Sequence, residues 1–576
     1  MQKHLFIAVI ALATVGGVPQ TAQAQIRKEV EVTKEYVPSV EPAPKLPIAP
    51  DMTDSTHMRP EVAHAVTPYL LDTSLELQPI RPASVTFWTF NRPEPCYLKF
   101  GAGYPLNSLA DFYFATQHPN TGYVRTYLNH TGRYADIRND FGQTHNSLQT
   151  DNRVGAAAGK YIGRRVIEAA ASYENRLYHR YGGYALPSVA SESAAAPGAR
   201  IDYGDADFAF RIGDDFQDLS RVNFELAASY NLFFDQSIWA NFGNRPRQTT
   251  IHANGKLARA FGQHHFSLEA GYDRFDGQRA IADFREHLIW GAARYGAESR
   301  TLHFEVGADY YHDRIDGQKH RNYILPFARL HFDLGTQKLR PFLEVDGSLH
   351  DNSYRSLTRA CPYVEPATLQ YKSSVDYDSR LGISGDLWRE RFVYRLYAAF
   401  SVHRNHNYWY ATGLYDAEQQ QLVAAACSLH PAQLRQTVTS FHGEIDFHPV
   451  SSLRMELGLH ACLYNDDPDF DNGEPALKGN FGIRYAMKQV SFGISLSGQT
   501  ARKWTLRYTD IVSGDTGKQT FEAPASLDLQ VMFDWRISKL IGIFAEGGNL
   551  LNRRLYRFPW YPEYGANCTV GVKFTF

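Results

Sequence analysis

Residues 544–576 read FAEGGNLLNRRLYRFPWYPEYGANCTVGVKFTF, and the chain stops on an aromatic residue. From Asn567 to Phe576 the side chains alternate strictly. Cys568, Val570, Val572, Phe574 and Phe576 fall on one side; Asn567, Thr569, Gly571, Lys573 and Thr575 fall on the other. A strand sends successive side chains to opposite faces, so this is a strand with one apolar face and one small or polar face. A half-buried sheet shows that pattern. A transmembrane barrel strand requires it, apolar toward lipid and polar toward the lumen.

The same texture recurs from Cys96 onward. Leu302, Phe304, Val306, Ala308 and Tyr310 alternate with His303, Glu305, Gly307, Asp309 and Tyr311. Val222, Phe224, Leu226, Ala228 and Tyr230 make another such row, as do Leu527, Leu529, Val531, Phe533 and Trp535. A period of two sustained over this length is a strand signal rather than a helical one. Very short connections, such as GRR (163–165), GQHH (262–265), WRER (388–391) and ISK (537–539), alternate with longer ones, such as 183–202, 351–371, 408–432 and 555–566. Short periplasmic turns alternating with long external loops describe an outer-membrane barrel. The spacing predicts an all-β fold: a transmembrane antiparallel β-barrel of about 22 strands over residues 96–576.

Composition agrees. With 59 Lys+Arg against 61 Asp+Glu, the chain has no basic surplus for a nucleic-acid partner. No run of eighteen apolar residues follows the N-terminus, so no membrane-spanning helix is expected. The mean hydropathy of −0.39 does not speak against a barrel, whose lumen residues dilute the lipid-facing ones. The 35 Tyr and 35 Phe suit the aromatic girdles of a barrel in contact with outer-membrane lipid.

Residues 1–24 carry Lys3, an apolar Leu5–Val18 stretch and the small-x-small site Ala22-Gln23-Ala24, which predicts a secretory signal peptide with the mature chain starting at Gln25. Residues 25–95 hold eleven of the 28 prolines, a density that predicts an extended periplasmic leader rather than a packed domain. EVEVTKEYV within it suits a strand added to a partner's sheet edge, and a solvated linker is the plainer reading.

The segment GNLLNRRLY (548–556) followed by YPEYGANCTVGVKFTF (561–576) resembles the C-terminal end of TonB-dependent receptors. Asn549, Leu550, Asn552, Arg553, Tyr556, Pro562, Gly565 and Phe576 match, and Ala566 stands where that family commonly has Arg. The resemblance implies nutrient or solute uptake across the bacterial outer membrane, with Phe574 and Phe576 closing the barrel and forming the signal read by the outer-membrane insertion machinery. Residues 25–95 are too short and too proline-rich for the plug domain of those receptors. The chain is therefore expected to be a plugless relative. Its alternative role is a structural or assembly platform, holding a periplasmic or outer-membrane protein partner through residues 25–95. The loops, the leader or a partner are left as fillers of the wide lumen.

No residue pattern supports catalysis or a cofactor. Serines, histidines and acids are abundant, but no spacing singles out a triad, and there is no CxxC pair or Gly-rich phosphate loop. In FHGEIDFHP the lumen-row His442 and His448 are six residues apart, too far for one tetrahedral metal. The acidic loop NDDPDFDNGEP (465–475) has Asn472 where an EF-hand needs Gly, and reads as solvated surface. The aromatic stretches NHNYWYATGLY (405–415) and RFPWYPEYG (557–565) suit either an outer girdle or ligand stacking. Of five cysteines, Cys361 and Cys427 fall in neighbouring external loops, and a disulfide between them is expected in the oxidising envelope.

Overall fold

The computed structural model describes residues 95–118, 121–183, 198–237, 245–335, 337–366, 371–388, 391–465 and 467–576. The expected signal peptide and leader lie outside these residues, Pro95 excepted.

Twenty-two antiparallel strands close into one barrel, beginning with Cys96–Tyr104 and Asn107–His118 and ending with Ile541–Gly548 and Asn567–Thr575. The first and last strands form the seam, in register from Tyr97↔Thr575 to Tyr104↔Cys568. Beyond that ladder Cys96 and Phe576 exchange backbone N–H···O bonds of 2.9 and 3.0 Å. Six short strands lie outside the wall as three hairpins: Asp136–Arg138 with Thr144–Asn146, Arg502–Asp510 with Thr516–Ala523, and Tyr556–Phe558 with Tyr561–Pro562.

The apolar rows face outward. Val570, Val306, Leu226 and Trp535 are all exposed, as lipid-facing residues are in the absence of lipid. The opposite rows carry charges that pair with one another across adjacent or next-but-one strands on the lumen side. Arg294 donates to Asp309 at 2.7 Å, Arg395 to Glu344 at 2.9 Å and Arg454 to Asp446 at 2.7 Å. A two-faced wall of this kind is stable only in a bilayer, which places the barrel in the bacterial outer membrane.

The alternation of short and long connections has exceptions. The first external connection is only Pro105–Leu106, the external turn at 316–320 is short, and the periplasmic turn at 215–222 is long. The ladder between Arg321–Phe332 and Arg340–His350 covers just four pairs, Ala328↔Val345 to His331↔Phe342. It stops two residues from Pro326, whose ring nitrogen has no hydrogen to donate. Strands Phe392–Asp416 and Gln421–Val450 have 25 and 30 residues, far more than the 9–11 or so that cross a bilayer. Their outer halves form an external ribbon, shifted in register between His403 and His406 and again between Ala411 and Tyr415. The Arg502–Asp510 strand pairs with this ribbon in parallel, from Ala411↔Leu506 to Tyr415↔Asp510.

Candidate functional site

The external loops build a packed cap. In the loop after Arg340–His350, Ser353 accepts a hydrogen bond from the N–H of Ser356 and starts the helix Tyr354–Ala360. Cys361-Pro362 ends it, because the residue before proline is pushed out of the helical region. The sequence carries no signal for this helix, and 351–371 reads there as plain loop. Its Tyr354 and Leu357 are buried, and Tyr354 packs edge-on against Phe233 with ring centroids 5.9 Å apart. The Tyr354 hydroxyl donates to Asp235 at 2.7 Å, and the Tyr203 hydroxyl donates to the Pro362 carbonyl at 2.8 Å. On its other face Arg355 donates to Asp205 at 2.8 Å, and Arg359 bridges Asp205 and Glu174. One apolar and one cationic face thus hold the helix down on the strands Arg165–His179, Arg200–Asp214 and Asn223–Asp235.

Three tyrosines show where the cap sits. Tyr363 stacks on Tyr561 with centroids 3.6 Å apart and planes at 16°, and Tyr181 meets Tyr561 edge-on at 5.0 Å. Tyr181, Tyr363 and Tyr561 follow the fifth, thirteenth and twenty-first strands of the ring. Loops rooted six to eight strands apart around a closed ring can meet only over its mouth. The ribbon joins them: Arg180 donates to the carbonyls of Tyr363 at 3.4 Å and of Cys427 at 3.3 Å, and the Tyr561 hydroxyl donates to the Cys427 carbonyl. Ile201, Phe284, Val364, Ala411, Leu429 and Leu506 complete the apolar core of the cap.

The two aromatic stretches find their place here. Tyr408 and Ala411 from one, and Phe558, Trp560, Tyr561 and Tyr564 from the other, are buried in or around the cap. They face neither a membrane girdle nor an open ligand site. The asparagines of the C-terminal motif shape the same region. Asn549 and Asn552 take positive φ of 45° and 49°, a conformation Asn tolerates better than most residues. The Asn549 side chain donates to the carbonyls of Arg553 and Tyr564 at 2.7 and 3.0 Å, and Asn552 accepts from the N–H of Ala566 at 3.0 Å. The motif is thus the frame of the last external loop.

Cys361 and Cys427 are free, buried thiols of this cap. Cys427 lies on the ribbon strand Gln421–Val450 rather than in a loop, and the bridge Val364↔Leu429 brings their two segments side by side. Burial pushes the Cys361 thiol up to about 12 and the Cys427 thiol up to about 11. In the acidic loop, Lys518 donates to Asp469 at 3.0 Å, while Thr520 donates to Asp471 at 2.9 Å. Protein donors thus occupy these carboxylates, as suits a surface loop; Asp466 lies outside the described residues.

The lumen wall carries a recess of about 810 Å³ lined by Arg395, His442, Glu444, Arg454, His460 and Lys478 among others. His442 is sandwiched between Tyr397, with centroids 4.3 Å apart at 6°, and His460, 3.8 Å apart at 28°. Imidazoles stacked face to face aim their lone pairs sideways, so this pair does not converge on one metal. His448 instead lies 3.4 Å from Asp446. Among the described residues no group of three or more His, Cys, Asp or Glu is arranged to hold a metal ion. The partner of His442 is His460 on the adjacent strand, a neighbour set by register and invisible to spacing along the chain.

No family model matches the chain, and no curated protein matches it. Solved structures do. The ferric enterobactin receptor PfeA from Pseudomonas aeruginosa superposes with a TM-score of 0.64 at 12% identity, over 84% of this chain and 80% of that one. The siderophore receptor PirA from Acinetobacter baumannii gives 0.63 at 11% identity, with the same coverage. The FrpB iron transporter from Neisseria meningitidis gives 0.63 at 9% identity, over 84% of this chain and 82% of that one. At such identities the likeness is one of fold: this chain has the 22-strand outer-membrane barrel architecture on which those uptake receptors are built.

Proposed function

We propose that the protein is a gated outer-membrane barrel for uptake or passage of a polar solute, not an enzyme. The observation that carries this reading is the junction of Tyr181, Tyr363 and Tyr561, three loops meeting over the mouth of a barrel whose lumen wall carries charged residues. A cap of loops gives a wide barrel a means to hold back free diffusion while keeping a route that opens. The shared fold with siderophore and iron receptors supports the same reading. Conductance in planar bilayers tests it. Wild-type protein is expected to conduct little, and deletion of 354–363 is expected to raise conductance at least about tenfold, since the loop buries a hydrophobic core rather than contributing wall strands. Equal, negligible conductance of both would remove the gate.

A platform role is the second reading, favoured by a cap core as fully buried as a protein interior, with Tyr203, Phe233 and Tyr354 at 0% exposure. On either reading residues 1–24 direct export, and 25–95 form a plugless periplasmic leader. Removing residues 26–90 is expected to leave the barrel folded, while releasing a co-purifying partner or raising conductance. If neither changes, the leader is a plain linker.

The terminal Phe574 and Phe576 serve as the insertion signal on this reading. Deleting Phe576 is expected to strand full-length chain in the periplasm or expose it to degradation. Normal amounts of heat-modifiable barrel in the outer membrane would refute that role. The Cys361–Cys427 pair forms a disulfide when the envelope oxidises it. Non-reducing digestion and mass spectrometry of membrane-extracted protein are expected to find the linked peptide, and free thiols at both positions would exclude it.

A further inference from the structure

Where the cap meets the rim, two acids are buried together, and among the described residues neither forms an ion pair. Glu286 stands at the external end of the strand Arg285–Glu298, and Asp313 at the external end of the adjacent Leu302–Ile315. Both are almost wholly buried, at 0% and 1% exposure. Ser373, itself fully buried, lies between them at the end of the cap loop, its Oγ 2.8 Å from Glu286 Oε1 and 2.9 Å from Asp313 Oδ2. Among the described residues, Glu286 Oε2 and Asp313 Oδ1 have no hydrogen-bond partner.

A serine hydroxyl has one hydrogen and can donate to one carboxylate only. Two ionised carboxylates at those distances would leave one facing a bare oxygen lone pair, with two like charges side by side out of water. A single proton resolves both conflicts. Protonated Glu286 donates to Ser373 Oγ, and Ser373 donates to Asp313. The remaining negative charge on Asp313 faces Arg321 and His312, while Asp273 and Asp351 add negative charge around Glu286, and Tyr323 lies beside Asp313.

The anchored segment is the one that carries the cap helix. Asn352, just before that helix, donates to the Lys372 carbonyl at 2.6 Å and to Ser374 at 2.8 Å, so the two ends of the loop move together with Ser373. We propose that Glu286, Ser373 and Asp313 form a proton-operated clasp that holds the segment carrying the helix Tyr354–Ala360 on the barrel rim and lets it lift when Glu286 ionises. The clasp deepens the gated-barrel reading above by naming what releases the gate.

The direction of the pH effect follows from the burial. Burial, joined by repulsion from Asp313, pushes the Glu286 carboxyl well above the ordinary range; burial also raises Asp313. The closed cap therefore binds the proton more tightly than the lifted one, in which Glu286 meets water. Closure is fully favoured below the ordinary glutamate pKa of about 4.3 and weakens as pH climbs from there to the raised value. Within that window the lifted fraction grows ~tenfold per pH unit, and above it the fraction levels off.

Hydrogen exchange on the full-length barrel in detergent, followed by mass spectrometry of peptides covering 351–366 and corrected for the intrinsic pH dependence of exchange, reads this directly. Between about pH 5 and pH 8, wild-type protection is expected to fall ~tenfold per unit over at least part of the range. Glu286→Gln, whose amide still donates to Ser373, is expected to stay protected and lose the slope. Asp313→Asn provides a second variant should the first fail to give heat-modifiable barrel; it removes the repulsion but not the burial of Glu286, so the fall in protection is expected to end at a lower pH than in wild type. A flat wild-type profile, an unchanged slope in Glu286→Gln, an unshifted profile in Asp313→Asn, or a slope that disappears on adding a chelator and so belongs to a bound metal would each overturn the clasp. The readout is loop exchange rather than solute flux, so a clasp that fails leaves the gated-barrel reading to its own conductance test.

Discussion

Replacing Tyr561 with alanine is expected to loosen the external cap by about 3–5 kcal/mol, the range for removing a buried aromatic side chain. Tyr561 is 2% exposed, stacks on Tyr363, meets Tyr181 edge-on, and donates its hydroxyl to the Cys427 carbonyl. It is the shared contact of three loops and the ribbon, so its removal leaves a cavity that no one loop can fill. Exchange of the 351–366 peptides should rise by two or more orders of magnitude, while the barrel strands keep their protection. Tyr561→Phe keeps the ring and loses the hydroxyl bond. It should cost about 1 kcal/mol or somewhat more, since the Cys427 carbonyl retains Arg180 as a donor. If alanine left loop exchange unchanged, the junction would not be what holds the cap shut.

Val531→Arg is expected to destabilise the barrel by about 2–4 kcal/mol, read by reversible denaturant unfolding in lipid vesicles. Val531 is at the middle of Ser526–Arg536, in the outward row with Leu527, Leu529, Phe533 and Trp535, and it pairs with Ile494 and Gly547. An arginine there meets hydrocarbon and must bend its long side chain toward the headgroups. The neighbouring Gln530 faces the lumen, where its amide already donates to Asp528 at 2.7 Å. Gln530→Arg should therefore be nearly neutral, within about 0.5 kcal/mol, as for an ordinary water-exposed substitution. Equal effects at the two positions would mean that the two faces of this strand are not lipid and water.

Alternation along single segments was enough to read the barrel. Every residue in a strand such as Asn567–Thr575 faces lipid or lumen by parity alone, and lipid admits only apolar side chains on its side. The connections, read as turns and loops, then yield the strand number, because an even count returns the end of the last strand to the side from which the first strand starts. That is why about 22 strands are legible in the sequence, and why Cys361 and Cys427 fall to adjacent hairpins. The cap was not legible in the same way. Tyr181 and Tyr561 touch although 380 residues separate them, and the loops that carry them have no periodicity to reveal a buried face. The helix Tyr354–Ala360 is too short to show a helical repeat, and it is held by acids on strands that only ring closure brings beneath it. Likewise the stacking of His442 on His460, and the pairing of Glu286 with Asp313 through Ser373, depend on strand register and on where a loop returns. The sequence alone determined the barrel, because a bilayer acts on each residue separately. Only the tertiary structure decided the cap and its clasp, because those contacts form between segments that the closed ring, and nothing local, brings together.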